Sequence, residues 1–416
     1  MPDVASFVDG EERGVRSEEG NPVSDTGPTP HSSLLTPHPK VAIVAGEASG
    51  DLLGSLLINA VKQAGLAADF FGIAGPKMQA AGARSLFPME ALSVRGYVEA
   101  LGSLRKILGI RAALKARLRA APPRLFIGVD APDFNLSLEA DLKRAGIPTV
   151  HFISPSIWAW RPKRIEKIRK AVSHVLLIFP FEEALFQKAG IPATYVGHPV
   201  AHALPEPRRL QARERLGLPQ DEEFLVLMPG SRPGELKALA KLFIETAREL
   251  HKTRPDTRFL IPLVNRETRL LFEQALYQAD ARDLPLRMLF GHSHDALQAA
   301  DVALIASGTA TLEALLLDCP HVITYKVPWL TWHIMKRQAM LPWVGLPNIM
   351  AGRELVPEIL QNRATPENLA RALGKLLADA DARQAQIDEF RIQRARLKRD
   401  TPRLIAQALR PLLAHG

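Results

Sequence analysis

Short apolar runs alternate with helical patterns along most of this chain, and this alternation constrains the fold more than any other feature. The runs are rich in Val, Ile and Phe and nearly continuous in apolarity, as expected for parallel strands that are buried on both faces. Helical patterns between them, such as Leu53–Ala64 and Leu136–Arg144, complete the βαβ pattern of a doubly wound α/β sheet. The predicted strands are Val41–Ala45, Asp69–Ile73, Leu125–Val129, Thr149–Ile153, Val175–Phe179, Thr194–Val196, Phe224–Leu227, Arg258–Pro262, Leu286–Phe290, Val302–Ala306 and His321–Tyr325.

The alternation breaks once, at Leu204–Asp221, where three prolines among mixed charges predict a hinge. We therefore predict two Rossmann-like α/β domains, at residues 40–203 and 204–380, that face a cleft. Residues 381–416 are predicted as a basic C-terminal segment, with a helix at about Ala382–Ala414 that packs on one of the domains. Because ligands of such folds bind beyond the carboxyl ends of the strands, the loops that follow the strands hold the candidate sites.

The charge is unevenly distributed along the chain. Residues 1–39 hold seven acidic and two basic residues together with six prolines, which predicts a disordered acidic extension. The remaining residues hold 51 Lys and Arg against 37 Asp and Glu. This surplus suits phosphates, nucleic acid or an anionic membrane, although it also serves solubility alone.

Several classes of protein are disfavoured by the sequence. The single cysteine, Cys319, excludes an intrachain disulfide and a cysteine-based zinc cluster. No signal peptide is visible, and no apolar stretch reaches the ~18 residues of a spanning helix. The histidines form no convincing cluster, so no metal site is predicted. We therefore expect an intracellular protein without a spanning helix.

Two loops of the first predicted domain carry candidate functional residues. Gly46–Asp51 follows the first strand, and its small residues and free N–H groups suit an anion, although a tight capped turn explains it equally well. Asp130 ends an apolar run at the carboxyl end of a strand, where a carboxylate can act as a general base. The neighbouring Asp133 and Asn135 are predicted as turn and helix-cap residues.

Two loops of the second predicted domain form a candidate site for a nucleotide diphosphate. In the first loop, Arg232 can form a bidentate contact with a diphosphate. The second loop begins a helix, whose N-terminus suits phosphate and whose Glu313 can bind a ribose diol. Ordinary Gly/Ser turns are the alternative. The candidate residues are Ser231, Arg232, Ser307, Gly308, Thr309 and Glu313.

Three segments combine basic side chains with apolar or aromatic ones. Ser154–Arg164 holds two of the five Trp residues, which suits phosphate binding, base stacking or a membrane interface. Arg105–Arg119 holds six bases and no acid, and Trp329–Trp343 holds three Trp residues with Lys336 and Arg337. We predict that the latter two segments contact an anionic membrane, although core packing explains their apolar residues equally well.

Seven ordered motifs between about residues 41 and 370 resemble those of the lipid-A-disaccharide synthase family of Gram-negative bacteria. They read GEASGD, GVDAPDFN, SPSIWAWR, VGHP, PGSR followed by Glu, SGTATLEA, and GLPN followed by AGRELVPE. The resemblance implies an inverting GT-B glycosyltransferase of lipid A biosynthesis that needs neither a metal nor another cofactor. The acidic extension is a departure from the family pattern.

The resemblance also implies a reaction and a set of site residues. UDP-2,3-diacylglucosamine is the donor and 2,3-diacylglucosamine 1-phosphate the acceptor, and the products are a β-1,6-linked disaccharide 1-phosphate and UDP. Asp130 is then the base that takes the proton of the acceptor 6-hydroxyl, and Arg232 stabilises the leaving diphosphate. Glu47 and Asn348 are expected to orient the sugars. All four residues match functionally important positions of the family.

Two other interpretations stay open. Another GT-B enzyme that acts on UDP-GlcNAc-type sugars, a transferase or an epimerase, explains the loops of the second domain but not GVDAPDFN with SPSIWAWR. A non-catalytic anion- or RNA-binding protein explains the basic body, but no RNA-binding signature appears and no nucleic-acid partner is predicted. The acylated substrates predict a peripheral protein on the cytoplasmic face of the inner membrane, and a homodimer is left open.

Overall fold

The computed structural model describes residues 38–92, 100–157, 164–339 and 341–414. The predicted acidic extension lies outside the described residues apart from its last two residues. Residues 158–163, which are most of the predicted Ser154–Arg164 segment, also lie outside them.

The first half of the chain forms a seven-stranded sheet in the order β3-β2-β1-β4-β5-β6-β7, and every recorded pairing is parallel. Its strands are β1 Lys40–Ala45, β2 Asp69–Ile73, β3 Arg84–Ser85, β4 Leu125–Val129, β5 Thr149–Phe152, β6 His174–Leu177 and β7 Ala193–Tyr195. Its helices are α1 Ala48–Gln63, α2 Pro76–Ala80, α3 Ala100–Ala120, α4 Pro132–Arg144, α5 Arg164–Ala171, α6 Glu182–Lys188 and α7 Pro199–Ala203, with a 3₁₀ turn at Met89–Leu92.

The second half forms a six-stranded sheet in the order β10-β9-β8-β11-β12-β13, again with parallel pairings. Its strands are β8 Phe224–Met228, β9 Arg258–Leu263, β10 Leu286–Phe290, β11 Val302–Ala306, β12 His321–Tyr325 and β13 Glu358–Leu360. Its helices are α8 Arg209–Leu216, α9 Pro233–Thr253, α10 Arg266–Gln278, α11 Ser293–Ala299, α12 Thr309–Leu316, α13 Trp329–Gln338, α14 Leu346–Ala351, α15 Pro366–Ala378, α16 Ala380–Leu397 and α17 Thr401–Ala414, with a 3₁₀ turn at Gln361–Arg363.

All eleven predicted strands are present, with ends that differ by at most two residues. They were recognisable because both faces are covered: every residue from Val41 to Ala45, for example, is buried. Strands β3 and β13 were not predicted, because they have two and three residues and only one buried position between them. The helix that was predicted to begin at Leu53 begins at Ala48. Its first turn was not recognised because it consists of small residues without an apolar pattern.

In both sheets the strand order reverses direction at one place, a topological switch point, and the loops on either side of it splay apart. In the first sheet this place lies between β1 and β4, where Ala45 pairs with Val129. In the second sheet it lies between β8 and β11, where Met228 pairs with Ile305. The four loops that follow these strands hold the predicted site residues, except that Glu313 lies on the helix after one of them and Asn348 lies elsewhere, on α14.

The C-terminal segment corrects one prediction. Instead of one helix on one domain, the chain forms α16, which packs against α12, α14 and α15, and then α17, which packs against α1 and β7. Asp400 and Pro402 mark the start of a new helix. The Asp400 carboxylate accepts a hydrogen bond from the Arg403 N–H, and Pro402 occupies the first turn of α17. The segment therefore packs on both halves of the chain.

One apolar cluster joins the two halves. It contains the first sheet together with Leu312 and Leu315 of α12, Phe390 of α16 and Ile405 of α17. The burial of these side chains holds the halves together, at roughly 25 cal/mol for each Å² removed from water.

The chain crosses between the halves twice, once after α7 and once between α16 and α17. Glu206, in the first crossing, accepts a hydrogen bond from Lys398 Nζ at 2.9 Å and pairs with Arg394 at 3.3 Å. The Lys398 ammonium, with help from Arg394, holds the pKa of Glu206 below its usual value. The two crossings are therefore adjacent.

No helix in the described part of the chain has the length and apolarity needed to cross a membrane.

Candidate active site

The loops after β1 and β4 approach each other closely. A Cβ atom on Gly46 would lie 2.9 Å from the Cβ of Ala131, and one on Gly50 would lie 3.4 Å from the carbonyl oxygen of Val129. Small residues in this motif therefore serve loop packing. Glu47 is exposed at the N-cap position of α1 and makes no side-chain capping bond there.

The second acid of the motif, Asp51, has a structural role. It is buried, and its carboxylate accepts hydrogen bonds from the N–H groups of Lys77 and Met78 at 2.9 and 3.0 Å. It thereby satisfies the first N–H groups of α2, a different helix from its own. Of the two acids, Glu47 is the one available to a ligand.

Asp130 lies on a strained turn. Its φ is +50° and that of Ala131 is +44°, a left-handed conformation that costs a side-chain-bearing residue on the order of 1–3 kcal/mol. The Asp130 N–H donates to the Phe152 carbonyl at 2.9 Å, and its own carbonyl accepts from Asn135 Nδ2 at 2.8 Å. Strain of this kind at the carboxyl end of a strand points to a functional position for the side chain.

Asn135 holds this turn from inside the protein, rather than capping a helix as predicted. It is fully buried in the first turns of α4. Besides the Asp130 carbonyl, its Nδ2 lies 3.4 Å from the Val44 carbonyl oxygen and 3.5 Å from that of Val129. One side-chain amide thus spans the ends of β1 and β4.

Beneath Asn135 lies a buried pair, Glu139 and His151, with Oε1 and Nδ1 at 2.7 Å. Gly128 makes room for both polar side chains, since a Cβ there would lie 2.1 Å from Glu139 Oε1 and 2.9 Å from the Cβ of Asn135. The glycine of the GVDAPDFN motif therefore accommodates the polar support of Asp130.

In the second half, the backbone of the loop after β8 donates hydrogen bonds to the carboxylate of Glu235. Gly230 has φ +126°, and Glu235 on α9 accepts from the N–H groups of Ser231 and Arg232 at 3.3 and 3.4 Å. The Arg232 guanidinium lies 3.2 Å from the same carboxylate but is 81% exposed. A diphosphate can engage the guanidinium as it stands, whereas it has to displace Glu235 to reach the two N–H groups.

The loop after β11 begins α12. Gly308 has φ +144°, and Gly308 and Thr309 are exposed at the helix N-terminus, where the partial positive charge of the helix favours an anion. The Ser307 N–H continues the sheet by donating to Thr324, and its hydroxyl donates to the Val344 carbonyl at 3.3 Å. Within this loop, Gly308 and Thr309 are the exposed members.

Glu313, on α12, has a partner that the sequence does not predict. Its Oε2 lies 3.5 Å from Nε2 of His294, which stands on α11. The bond to Glu313 raises the pKa of His294, against an opposing effect of burial. No local sequence signal links the two residues, because the sheet topology brings α11 beside α12.

Asn348 lies apart from these exposed groups. It is fully buried, and its amide bonds to Leu355, Val356 and Glu358. The structure therefore gathers Glu47 and Asp130 at one switch point and the donor-site candidates at the other, and places Asn348 inside the protein.

Two of the predicted membrane-facing segments are partly described. On α3, Leu114 and Leu118 are buried, and Arg111 and Lys115 bond to Ser137 and Asp141 of α4. The exposed basic residues of α3 are Arg105, Lys106, Arg117 and Arg119. Trp329, 69% exposed, lines a cavity of about 500 Å³ together with Trp332, Lys326 and Arg363. Among the described residues, no group of three or more His, Cys, Asp or Glu side chains is arranged to hold a metal ion.

Two solved structures share this architecture at low sequence identity. MurG of Acinetobacter baumannii superposes with a TM-score of 0.55 at 15% identity, covering 90% of this chain and all of that one. The UDP-GlcNAc 2-epimerase of Neisseria meningitidis, bound to UDP-GlcNAc, gives 0.57 at 12% identity, covering 90% and 98%. These likenesses confirm the predicted GT-B fold, two Rossmann-like domains with a helical C-terminus.

Sequence comparison is more specific. The family model for lipid-A-disaccharide synthetase matches residues 41–409. The lipid-A-disaccharide synthase of Aromatoleum aromaticum is 54% identical over 375 residues, which are 90% of this chain and 96% of that protein. That of Methylobacillus flagellatus is 52% identical over 372 residues, 89% and 98% of the two chains. This chain belongs to the lipid-A-disaccharide synthase family and is a hexosyltransferase with the GT-B fold.

Proposed function

We propose that this enzyme transfers the sugar of UDP-2,3-diacylglucosamine to the 6-hydroxyl of 2,3-diacylglucosamine 1-phosphate, giving the β-1,6-linked disaccharide 1-phosphate and UDP. Family membership supports the overall reaction. The observation that carries the mechanism is Asp130, a carboxylate on a strained turn at the switch point of the first sheet.

Asp130 acts as the general base. As the acceptor 6-oxygen attacks the anomeric carbon, its proton passes to the Asp130 carboxylate, and the bond from that carbon to the UDP oxygen breaks with its electron pair. Attack from the face opposite the leaving group inverts the anomeric centre in one displacement, so no enzyme nucleophile is needed. The two hydrogen bonds to the Asp130 backbone keep the carboxylate in place.

The second switch point binds UDP. The exposed Arg232 guanidinium and the N-terminus of α12, at Gly308 and Thr309, stabilise the negative charge that develops on the departing diphosphate. Glu313 accepts from the ribose hydroxyls, and His294 holds its carboxylate in position. Ser231 contributes its N–H group when the diphosphate replaces Glu235.

The acceptor lies on the side of the first sheet. Glu47, exposed one loop away from Asp130, orients the sugar hydroxyls by accepting hydrogen bonds. Asn348, which is buried, acts on the substrates only through its neighbours.

The acyl chains bring the enzyme to a membrane. Each buried methylene group favours the bilayer by about 0.8 kcal/mol, so both substrates partition into it. The four exposed basic side chains of α3, and the exposed Trp329 with its neighbouring cations, fit an anionic membrane surface, the cytoplasmic face of the inner membrane.

The test is product analysis with both acylated sugars. We expect UDP and disaccharide in equal amounts, with a β-configured anomeric proton in the NMR spectrum of the product. Release of UDP without disaccharide would indicate a hydrolase, an epimerised UDP-sugar without disaccharide would indicate an epimerase, and binding of the sugars without turnover would indicate a non-catalytic protein. Any of these results would overturn the proposal.

A further inference from the structure

Asn348 has no hydrogen-bonding capacity left for a substrate. Its Nδ2 donates to the Val356 carbonyl at 2.9 Å and to Glu358 Oε1 at 2.8 Å. Its Oδ1 accepts from the N–H groups of Leu355 and Val356 at 2.7 and 2.9 Å. A side-chain amide has two donors and two acceptor positions, and all four are used. Its contribution to the reaction therefore passes through one of these partners.

Glu358, the first residue of β13, is the partner that leads toward the donor site. Its Oε2 accepts from the Val344 N–H and its Oε1 from the Gly345 N–H, both at 2.9 Å. Burial raises the pKa of Glu358, and its three hydrogen-bond donors work in the opposite direction. A half-buried carboxylate with three donors fixes the segment that supplies them.

The segment at Val344 and Gly345 is tightly confined. A Cβ atom on Gly345 would lie 2.2 Å from Cδ1 of Ile323 and 3.1 Å from Glu358 Oε1. Val344 and Leu346 pack against the apolar cluster that joins the two halves of the chain. A shift of the Glu358 carboxylate should therefore also shift the backbone at Val344 and Gly345.

The other end of this segment contacts the donor loop. The Val344 carbonyl accepts the Ser307 hydroxyl at 3.3 Å, and Ser307 directly precedes Gly308 at the N-terminus of α12. Two hydrogen bonds, from Val344 to Glu358 and from Ser307 to Val344, thus link Glu358 to the loop of the proposed diphosphate site.

We propose that Glu358 is a positioning residue for the UDP-sugar: its carboxylate holds the backbone at Val344 and Gly345, which in turn holds Ser307 at the donor loop. Asn348 fixes the orientation of that carboxylate. This inference rests on the proposed UDP site at the second switch point.

The experiment measures UDP affinity by isothermal titration calorimetry on the purified full chain, together with steady-state kinetics. In Glu358→Gln one acceptor oxygen becomes an NH₂ group that faces N–H donors, so we expect the Kd of UDP and the KM of the donor to rise about tenfold. The KM of the acceptor should stay within about twofold, since the acceptor binds at the other switch point. Glu354→Gln, the same change at an exposed residue four positions earlier, is the matched control and should leave all three constants unchanged.

A second variant, Ser307→Ala, removes the last link without touching Glu358. It should raise the Kd of UDP about threefold, and in the double variant the two effects should not add, because they act through one contact. Unchanged UDP affinity in both folded single variants, or full additivity, would overturn the inference. If Glu358→Gln does not fold, Ser307→Ala decides alone. Failure of the unaltered protein to bind UDP would instead overturn the proposed function.

Discussion

The two switch points solve the same backbone problem with different residues. In the first sheet, Asp130 and Ala131 adopt left-handed conformations at φ +50° and +44° although they carry side chains. In the second sheet, glycines occupy the positive-φ positions, Gly230 at +126° and Gly308 at +144°. This difference fits the proposed roles: glycine suffices if the backbone itself is to approach a phosphate, whereas a turn that is to present a carboxylate needs a residue with a side chain and bears the strain.

The groups that support the two turns differ as well. Asn135, beneath the first turn, is fully buried and bonds to the Asp130 carbonyl. Glu235, beneath the second, is partly exposed, and its bonds to Ser231 and Arg232 are long, at 3.3 and 3.4 Å. We therefore expect the first support to stay in place when substrates bind and the second to be exchangeable for another anion.

The largest expected effect comes from making the first turn like the second. Asp130→Gly should lower kcat by about 10²-fold or more, the range for lost base catalysis. Its free energy of unfolding should not fall, because glycine adopts positive φ without a Cβ penalty. Steady-state kinetics and urea unfolding measure the two quantities, with Asp133→Asn, an exposed acid three positions later, as the control. Near-normal turnover in Asp130→Gly would refute the base assignment.

Removing the buried support should affect the first turn less severely. Asn135→Ala leaves the Asp130 carbonyl without its side-chain donor, so we expect kcat to fall about tenfold and unfolding to become easier by about 1–3 kcal/mol. The KM of the donor should not change. Asn368→Ala removes a similar amide-to-carbonyl bond on α15 and should lower stability without lowering kcat. Equal kcat in the two variants would show that Asn135 is only structural.

Removing the exchangeable support should have an opposite and smaller effect. Glu235→Gln keeps an oxygen for the N–H groups but loses the charge that competes with a diphosphate, so the Kd of UDP should fall about threefold. Calorimetric titration measures this change, and Glu245→Gln on the same helix is the control. Weaker UDP binding in Glu235→Gln would mean that the carboxylate shapes the loop rather than competing for it.

The smallest effect concerns the pair of His294 and Glu313. Because Glu313 raises the pKa of His294, the pair contributes stability that is complete below the ordinary value of 6.5 and is lost as the pH rises through the raised pKa. His294→Gln should therefore cost more stability at pH 6 than at pH 9, by less than about 1 kcal/mol, since the ring is nearly half exposed. Urea unfolding at both pH values measures the difference, and His202→Gln, at an exposed position, is the control. If His294→Gln lowered the free energy of unfolding by the same amount at pH 6 and pH 9, the assigned direction of the pKa shift would be contradicted.

The sequence predicted what is encoded locally. Eleven strands were found because each is an apolar run, and the loops with candidate residues were found because each follows such a run. Contacts between distant segments were not predictable. His294 meets Glu313 only because β11 lies next to β8, and Glu358 meets Val344 only because β13 joins the edge of the sheet. The burial of Asn348 was not predictable for the same reason, since a motif identifies a residue without saying which way its side chain faces. The roles of the site residues and the domain limits at 203 and 380 stay predictions.

The adjacency of the two chain crossings has a mechanical consequence. Two domains joined by a single flexible chain connection can rotate in every direction, but a second connection held beside the first limits twisting. The contacts of Glu206 with Lys398 and Arg394 join the two connections at one place, so we expect bending about that place to be the easiest relative motion of the halves. In such a motion the points far from this place would travel furthest, so a pair of distance labels placed there would detect it with the greatest sensitivity.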